Sequence, residues 1–149
     1  MPASSVPRYH GTSPYLLVSK YNNYLIGPHG DGRNRVAVLD PTASQKDPYA
    51  NVQTMKAVQT ILSPVHVPGT PAGSRYEWCI NSAVVDPADD SVIVNSEDGI
   101  VYRWDLAHNT LAAKMRLNGP RPEAYTPTII GPDGTVYAIN NATIYAIGR

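Results

Sequence analysis

The sequence predicts an all-β fold built from repeated antiparallel meanders, and three observations support this. Short runs of apolar and β-branched residues, separated by Gly, Pro, Asn and Asp, recur along all 149 residues. The chain has 11 Gly and 14 Pro, whereas charged residues make up only 16%, against about 25% in typical soluble domains. The same order of runs and turns returns at a regular spacing, so more than one meander is expected.

The clearest meander is predicted between residues 83 and 117. Its four apolar runs lie at 83–85, 91–94, 100–104 and 111–117. Asp98 and Gly99 supply the residue types that a tight hairpin with positive φ requires, and the connection at 105–109 is short and polar. Four strands joined in this way form one antiparallel sheet.

Three of these four strands are repeated near the end of the chain. Apolar runs at 128–130, 135–139 and 142–147 are separated by Pro132-Asp133-Gly134 and Asn140-Asn141. Val84-Val85 align with Ile129-Ile130 at an offset of 45 residues. A period in the low forties is that of one blade of a β-propeller, a fold in which four-stranded antiparallel sheets surround a channel.

A more divergent copy is expected before residue 63. Apolar segments at 15–19, 35–41 and 55–62 surround a Gly- and Pro-rich stretch at 27–32. We interpret 52–62 as a strand, because its side chains alternate, although Met55, Val58 and Leu62 also have helical spacing. Leu39-Asp40 stands 65 residues before Trp104-Asp105, and the surplus over one blade predicts two long loops, at 42–51 and 63–74. The prediction is a single domain, 1–149, with about three blades at 7–62, 76–117 and 121–149.

A family resemblance supports the same fold. Residues 98–104 and 133–139 share Asp-Gly, one residue, Val-Tyr, one residue and an apolar residue. In this pattern the sequence resembles the blade repeat of quinoprotein-like β-propellers, over residues 78–149. Enzymes of that group commonly close their blades with Thr-Gly and a docking Trp, whereas residues 109–114 read Asn-Thr-Leu-Ala-Ala-Lys. The resemblance therefore implies the fold and not a bound quinone.

Composition argues against several partners. Lys and Arg total 12, as do Asp and Glu, so no excess of basic residues indicates nucleic-acid binding. No apolar run reaches the roughly 18 residues of a membrane span, and the first residues do not resemble a secretory signal. A soluble, cytoplasmic protein without nucleic-acid or membrane partners is the expectation. The single cysteine, Cys79, has apolar neighbours and is predicted to be a buried thiol.

Charged residues recur before the predicted innermost strands of the blades. The set comprises Arg75, Glu77, Arg121, Glu123, Arg8 and His10. The first two pairs are 46 residues apart, and the third copy lies at an offset of 113. Because a segment entering an innermost strand lies at a mouth of the channel, these side chains are predicted to form a polar ligand-binding ring there.

Two alternatives to this ring remain open. Arg and Glu can simply pair between neighbouring blades, which is the favoured structural interpretation. If residues 15–19 form the second strand of their blade and not the first, Arg8 and His10 move away from the channel.

The function predicted from these features is a non-catalytic interaction or ligand-binding module. The alternative is a propeller hydrolase of the lactonase type that uses a metal or carboxylates, with quinone-dependent oxidoreduction as a weaker option. No cofactor is predicted; a divalent cation near Asp86, Asp89, Asp90 and Asp98 is a minor possibility. Three blades do not close a ring, so self-association or a partner chain is expected to complete it, unless the chain is part of a longer propeller. Residues 6–12 are a candidate for the missing outer strand of the last blade.

Overall fold

The structure, a computed structural model, describes residues 1–21, 23, 25–71, 73–79, 83–117 and 128–148. Within these ranges a short 3-10 helix spans Ala3–Ser5 and is followed by strands β1 (Leu17–Tyr21), β2 (Ile26–Gly27), β3 (Gly30–Asp31), β4 (Arg35–Lys46), β5 (Gln53–Leu62), β6 (Val84–Asp86), β7 (Ser91–Asn95), β8 (Ile100–Asp105), β9 (Thr110–Arg116), β10 (Ile129–Ile130), β11 (Val136–Asn140) and β12 (Thr143–Ile147). The strands form sheet A (β1-β4-β5), sheet B (β6-β7-β8-β9), sheet C (β10-β11-β12) and a small β2-β3 hairpin. The all-β class is confirmed.

Sheet B is the four-stranded antiparallel meander that the sequence predicts. Its turns use residues that tolerate positive φ, with Gly99 at 77° between β7 and β8 and Asn109 at 57° between β8 and β9. The Asp98 carboxylate caps the first of these turns by accepting a 3.0 Å hydrogen bond from the Ile100 amide. The residues of these turns thus fix where each strand ends and the next one begins.

Sheet C reproduces the three strands predicted between residues 128 and 147. Asn141 and Ala142 join β11 to β12 with φ values of 49° and 58°. Two successive positive φ angles identify a type I′ turn, whose twist suits a two-residue hairpin. Asn140 and Thr143 are therefore directly opposite each other across the turn.

The three sheets stack face to face, with sheet B in the middle. Val92 and Val94 of β7 join Val36 and Val38 of β4 in one buried cluster. Ile93, between them in sequence, joins a second buried cluster with residues of sheet C. Because successive side chains of a strand point to opposite faces, β7 contributes to both cores and is buried along its whole length.

Sheet A differs from the prediction in one of its loops. Residues 42–46, predicted as part of a long loop, belong to β4, and Gln45 pairs with Thr54 of β5. A register shift between Asp40 and Ser44 lets the ladder continue past Pro41, which has no amide hydrogen to donate. Only the short turn after Lys46 remains of that predicted loop. The second predicted loop, at 63–74, has no strand among its described residues and contains only one isolated bridge, from His66 to Arg75.

The N-terminal residues pack against sheet A, which corrects two expectations. The Met1 ammonium donates a 2.9 Å hydrogen bond to the Leu16 carbonyl, and Val6 and Leu16 are fully buried in the core between sheets A and B. Residues 6–12 therefore do not provide an outer strand beside β12. Leu39 of β4 is the sequence equivalent of Trp104 of β8. Leu39 pairs with Leu17 of β1, and Trp104 pairs with Val92 of β7. β1 therefore corresponds to β7, which is the second strand of its meander and not the first.

Two smaller expectations also have outcomes. Cys79 is 3% exposed, which confirms the predicted buried thiol. None of the described residues forms a helix with the length and hydropathy that a membrane span requires.

Candidate functional site

A groove of about 440 Å³ lies where the N-terminal loop crosses β4 and β5. We call it the basic groove. Its lining includes Arg8 and His10 from the loop, Thr42 from β4 and Lys56 from β5. Two of the predicted ligand-binding residues therefore share one concavity with a lysine from another strand.

The loop is held over the sheet by one tyrosine. The Tyr9 hydroxyl donates a 2.7 Å hydrogen bond to Asp40 Oδ2 and accepts one of 2.9 Å from the Ser13 amide. Arg8 and His10 flank Tyr9, so this anchor positions both side chains at the groove. Sequence neighbours of a fixed aromatic ring have limited freedom to move away from it.

Gly11 allows the loop to fold closely around that ring. A Cβ atom at this position would collide with the Tyr9 ring and hydroxyl. The constraint is one of space, and the hydrogen bond from Tyr9 to Asp40 prevents the ring from yielding easily. The glycine at position 11 is therefore explained by its close packing against Tyr9.

Asp40 lies beneath the groove with both carboxylate oxygens occupied. Oδ2 accepts from Tyr9, and Oδ1 accepts from the Thr42 amide at 2.8 Å and from the Thr42 hydroxyl at 2.7 Å. The hydrogen bonds from Tyr9 and Thr42 hold the pKa of Asp40 below its ordinary value, although burial acts in the opposite direction. Burial and the bond to Asp40 raise the pKa of Tyr9. The pair is therefore an ionised carboxylate with a neutral phenol.

The charge on the groove surface is positive. Arg8, His10 and Lys56 are all exposed, while Asp40 is only 3% exposed. Among the described residues no ion pair joins Arg8 or Lys56 to a carboxylate. Two permanent cations therefore face solvent across a carboxylate whose oxygens already accept hydrogen bonds.

The other predicted ring residues lie elsewhere. Arg75 donates a 2.7 Å hydrogen bond from Nη1 to the Pro64 carbonyl, and its own carbonyl accepts one of 2.8 Å from Asn34. The Glu77 carbonyl accepts a 2.9 Å hydrogen bond from the Glu97 amide, and the Glu77 amide donates one of 3.2 Å to Glu97 Oε2, beside the end of β7. Neither Arg75 nor Glu77 lines the basic groove. Residues 121 and 123, the predicted Arg121 and Glu123, lie outside the described residues.

Sequence reasoning missed Lys56. Its place is set by the register of β4 and β5, in which Lys56 is the cross-strand partner of Asp40. A strand was predicted over 52–62, but no local signal gives its register relative to β4. Long-range pairing thus completes the site.

The acidic residues considered as a cation site have other contacts. Asp89 forms an ion pair of 2.8 Å with Arg103, and Asp98 accepts from Tyr102. Within the part of the chain that the structure describes, no three His, Cys, Asp or Glu side chains come together in a manner that could hold a metal ion.

Comparison of the chain with protein-family models gives no match, and comparison with curated proteins gives none.

Proposed function

We propose that the chain is a non-catalytic binding module of the β-propeller type that binds a small anionic ligand in the basic groove. The observation that carries the proposal is the grouping of Arg8, His10 and Lys56 around a carboxylate that is already hydrogen-bonded. Asp40 is held by Tyr9 and Thr42, so the two permanent cations remain available to an incoming anion.

The chemistry of the groove suits a carboxylate or a phosphate group. The Arg8 guanidinium offers planar donors that match two oxygens at once, and the Lys56 ammonium adds a compact positive charge. The His10 imidazole, which also lines the groove, offers a further N–H donor. A volume of about 440 Å³ is within the range of small-molecule sites.

The propeller assignment is part of the same proposal. Support comes from the four-stranded meander of sheet B, from the repeat period and from the face-to-face stacking of three successive sheets. The outer faces of sheets A and C have no further sheet against them among the described residues. We therefore propose that the module associates with itself.

Isothermal titration calorimetry with inorganic phosphate and with citrate tests the anion site. We expect Arg8→Ala and Lys56→Ala each to weaken binding by at least about tenfold, because each removes a charge-assisted hydrogen bond. Lys114→Ala is the matched control, since Lys114 is an exposed lysine on β9, away from the groove, and should leave binding unchanged. Absence of binding by the unaltered chain, or equal losses in all three variants, would contradict the proposal.

A further inference from the structure

A second groove, of about 750 Å³, crosses the outer face of sheet A, the face turned away from sheet B. Residues directly opposite each other on the three strands form rows across this face. One row consists of the small side chains Ser19, Ala37 and Thr60. The rows beside it carry larger side chains, with Tyr21 and Arg35 on one side and Leu39 on the other. The groove is therefore a trough between rows of unequal height, and we call it the sheet A trough.

Two tyrosines line the sheet A trough, and one carboxylate holds both. Tyr21 is 39% exposed, and its hydroxyl donates a 3.1 Å hydrogen bond to Asp47 Oδ2. Asp47 Oδ1 accepts hydrogen bonds from the Tyr49 and Ala50 amides, at 2.8 and 2.6 Å. Asp47 thus fixes Tyr21 through its side chain and Tyr49 through its backbone. A tyrosine presents a flat apolar ring with a polar end, so it suits a ligand surface that has both kinds of group.

The formal charges around the sheet A trough balance. Arg35 donates to both oxygens of Asp31, at 3.2 and 2.6 Å, while Lys20 and Asp47 add one charge of each sign. The hydrogen bond from Arg35 holds the pKa of Asp31 below its ordinary value, and two backbone amides of the following turn do the same for Asp47. Both carboxylates are therefore ionised at neutral pH. A charged ligand meets no excess of opposite charge here, and an apolar one would bury these groups without partners.

A side-chain amide supplies donors at the same trough. The Gln45 side-chain oxygen accepts a 2.9 Å hydrogen bond from the Ala57 amide. Because a backbone amide is a donor, this contact fixes which end of the Gln45 amide group faces Ala57. Both N–H donors on its nitrogen are unused by the residues that the structure describes. Gln53 and Thr54 line the trough as well, so donors and acceptors stand side by side along it.

We propose that the sheet A trough is a binding site for a neutral saccharide. A sugar ring has C–H groups on its faces and hydroxyls around its edge, and each hydroxyl both donates and accepts hydrogen bonds. The C–H groups suit the tyrosine rings and the floor of Ala37 and Leu39, and the hydroxyls suit the mixed donors and acceptors around them. The site is separate from the basic groove, because Leu39 and Asp40 are neighbours on β4 whose side chains lie on opposite faces of sheet A.

Saturation-transfer difference NMR with glucose, maltose, cellobiose and lactose tests the site. At least one of these sugars is expected to bind at millimolar concentration. Tyr49→Ala should weaken that binding by at least about fivefold, because it removes a ring from the trough, whereas Tyr49→Phe keeps the ring and should bind nearly as well. Tyr137→Ala is the matched control, since Tyr137 is another partly exposed tyrosine, at 38%, but lies on sheet C. Cyclohexanol, with a ring of the same size and one hydroxyl, should not bind.

A second variant keeps the test independent of the turn that carries Tyr49. Gln45→Ala removes the amide donors from β4 and should weaken sugar binding severalfold. Absence of binding by all four sugars, equal binding of cyclohexanol, or an equal loss in Tyr137→Ala would overturn the proposal, as would full binding by both trough variants. Phosphate binding by Tyr49→Ala should be unchanged, so failure of the saccharide site can be distinguished from failure of the basic groove.

Discussion

The Tyr102 hydroxyl donates a 2.6 Å hydrogen bond to Asp98 Oδ2 inside the core between sheets A and B. Both residues are buried, at 3% and 6% exposure, and the Trp78 ring meets the Tyr102 ring edge to face at 5.7 Å. The other Asp98 oxygen accepts from the Ile100 amide, so the same carboxylate caps the β7-β8 turn. One side-chain pair thus links a tight turn to the aromatic core.

Removal of this hydroxyl should destabilise the fold. Tyr102→Phe leaves Asp98 Oδ2 buried without its donor, and we expect the free energy of unfolding to fall by about 1–3 kcal/mol. Urea unfolding followed by circular dichroism measures the change. Tyr137→Phe, on the exposed face of sheet C, is the control and should alter stability by less than about 0.5 kcal/mol. Equal effects of the two changes would show that the buried pair has no special weight.

Stability should decrease at alkaline pH. Burial, assisted by the hydrogen bond to Asp98, raises the pKa of Tyr102 above its ordinary value. The folded state therefore holds this proton more tightly than the unfolded state, so the contribution is complete below about pH 10 and is lost as the pH rises beyond it. Melting temperatures measured across this range test the slope. Tyr102→Phe should flatten it, and an unchanged slope in that variant would assign the effect to other tyrosines.

Asp40→Asn should change stability and ligand affinity in opposite directions. The amide cannot accept every hydrogen bond that the carboxylate accepts from Tyr9 and Thr42, so we expect a loss of about 1–3 kcal/mol in the free energy of unfolding. Removal of the negative charge should strengthen phosphate binding several-fold, because Arg8 and Lys56 then act unopposed. Calorimetry and urea unfolding give the two values.

Asp133→Asn is the matched control for that change. Asp133 also accepts from the amide and hydroxyl of a threonine two residues later, Thr135, but it lies in an exposed turn of sheet C. It should have no effect on phosphate affinity. Weaker phosphate binding by Asp40→Asn would show that loss of the Tyr9 anchor outweighs the removal of the negative charge, and would contradict this prediction.

Gly11→Ala should disturb the loop that carries Arg8 and His10. The added methyl group would collide with the Tyr9 ring, which is anchored to Asp40, and we expect a loss of about 1–3 kcal/mol together with weaker phosphate binding. Gly148→Ala is the control, since no atom lies within 4 Å of the added Cβ. Thermal unfolding and calorimetry test both effects. Retention of full stability would mean that the loop can move without cost.

Local residue patterns predict the strands and most of their turns. Alternating apolar residues and turn residues such as Gly99 and Asn109 act within a few positions of each other, so their consequences are local and can be predicted. In sheet C the hairpin turn lies one residue beyond the predicted Asn140-Asn141, since Asn140 ends β11 and Asn141 and Ala142 form the turn. The one misplaced loop, at 42–51, became strand because β4 continues past Pro41 through a register shift, which depends on its pairing with β5.

The tyrosines show the same dependence on long-range contacts. The chain has ten tyrosines and no phenylalanine, and a buried tyrosine ring packs like phenylalanine while its hydroxyl requires a partner. The tertiary structure decided that several of these partners are aspartates, since Tyr9 bonds to Asp40, and Tyr21 to Asp47. Each of these pairs spans more than twenty residues of sequence, so no local pattern specifies it.

Which charged residues meet depends on long-range contacts that local patterns do not specify. Arg8 and His10 were singled out by a repeat that places them at a channel mouth, yet β1 proved to be the second strand of its meander and not the first. They lie instead beside Lys56, which the antiparallel register brings opposite Asp40. Strand formation follows from local propensity and alternation, whereas the basic groove depends on register and on a tyrosine anchor between distant segments.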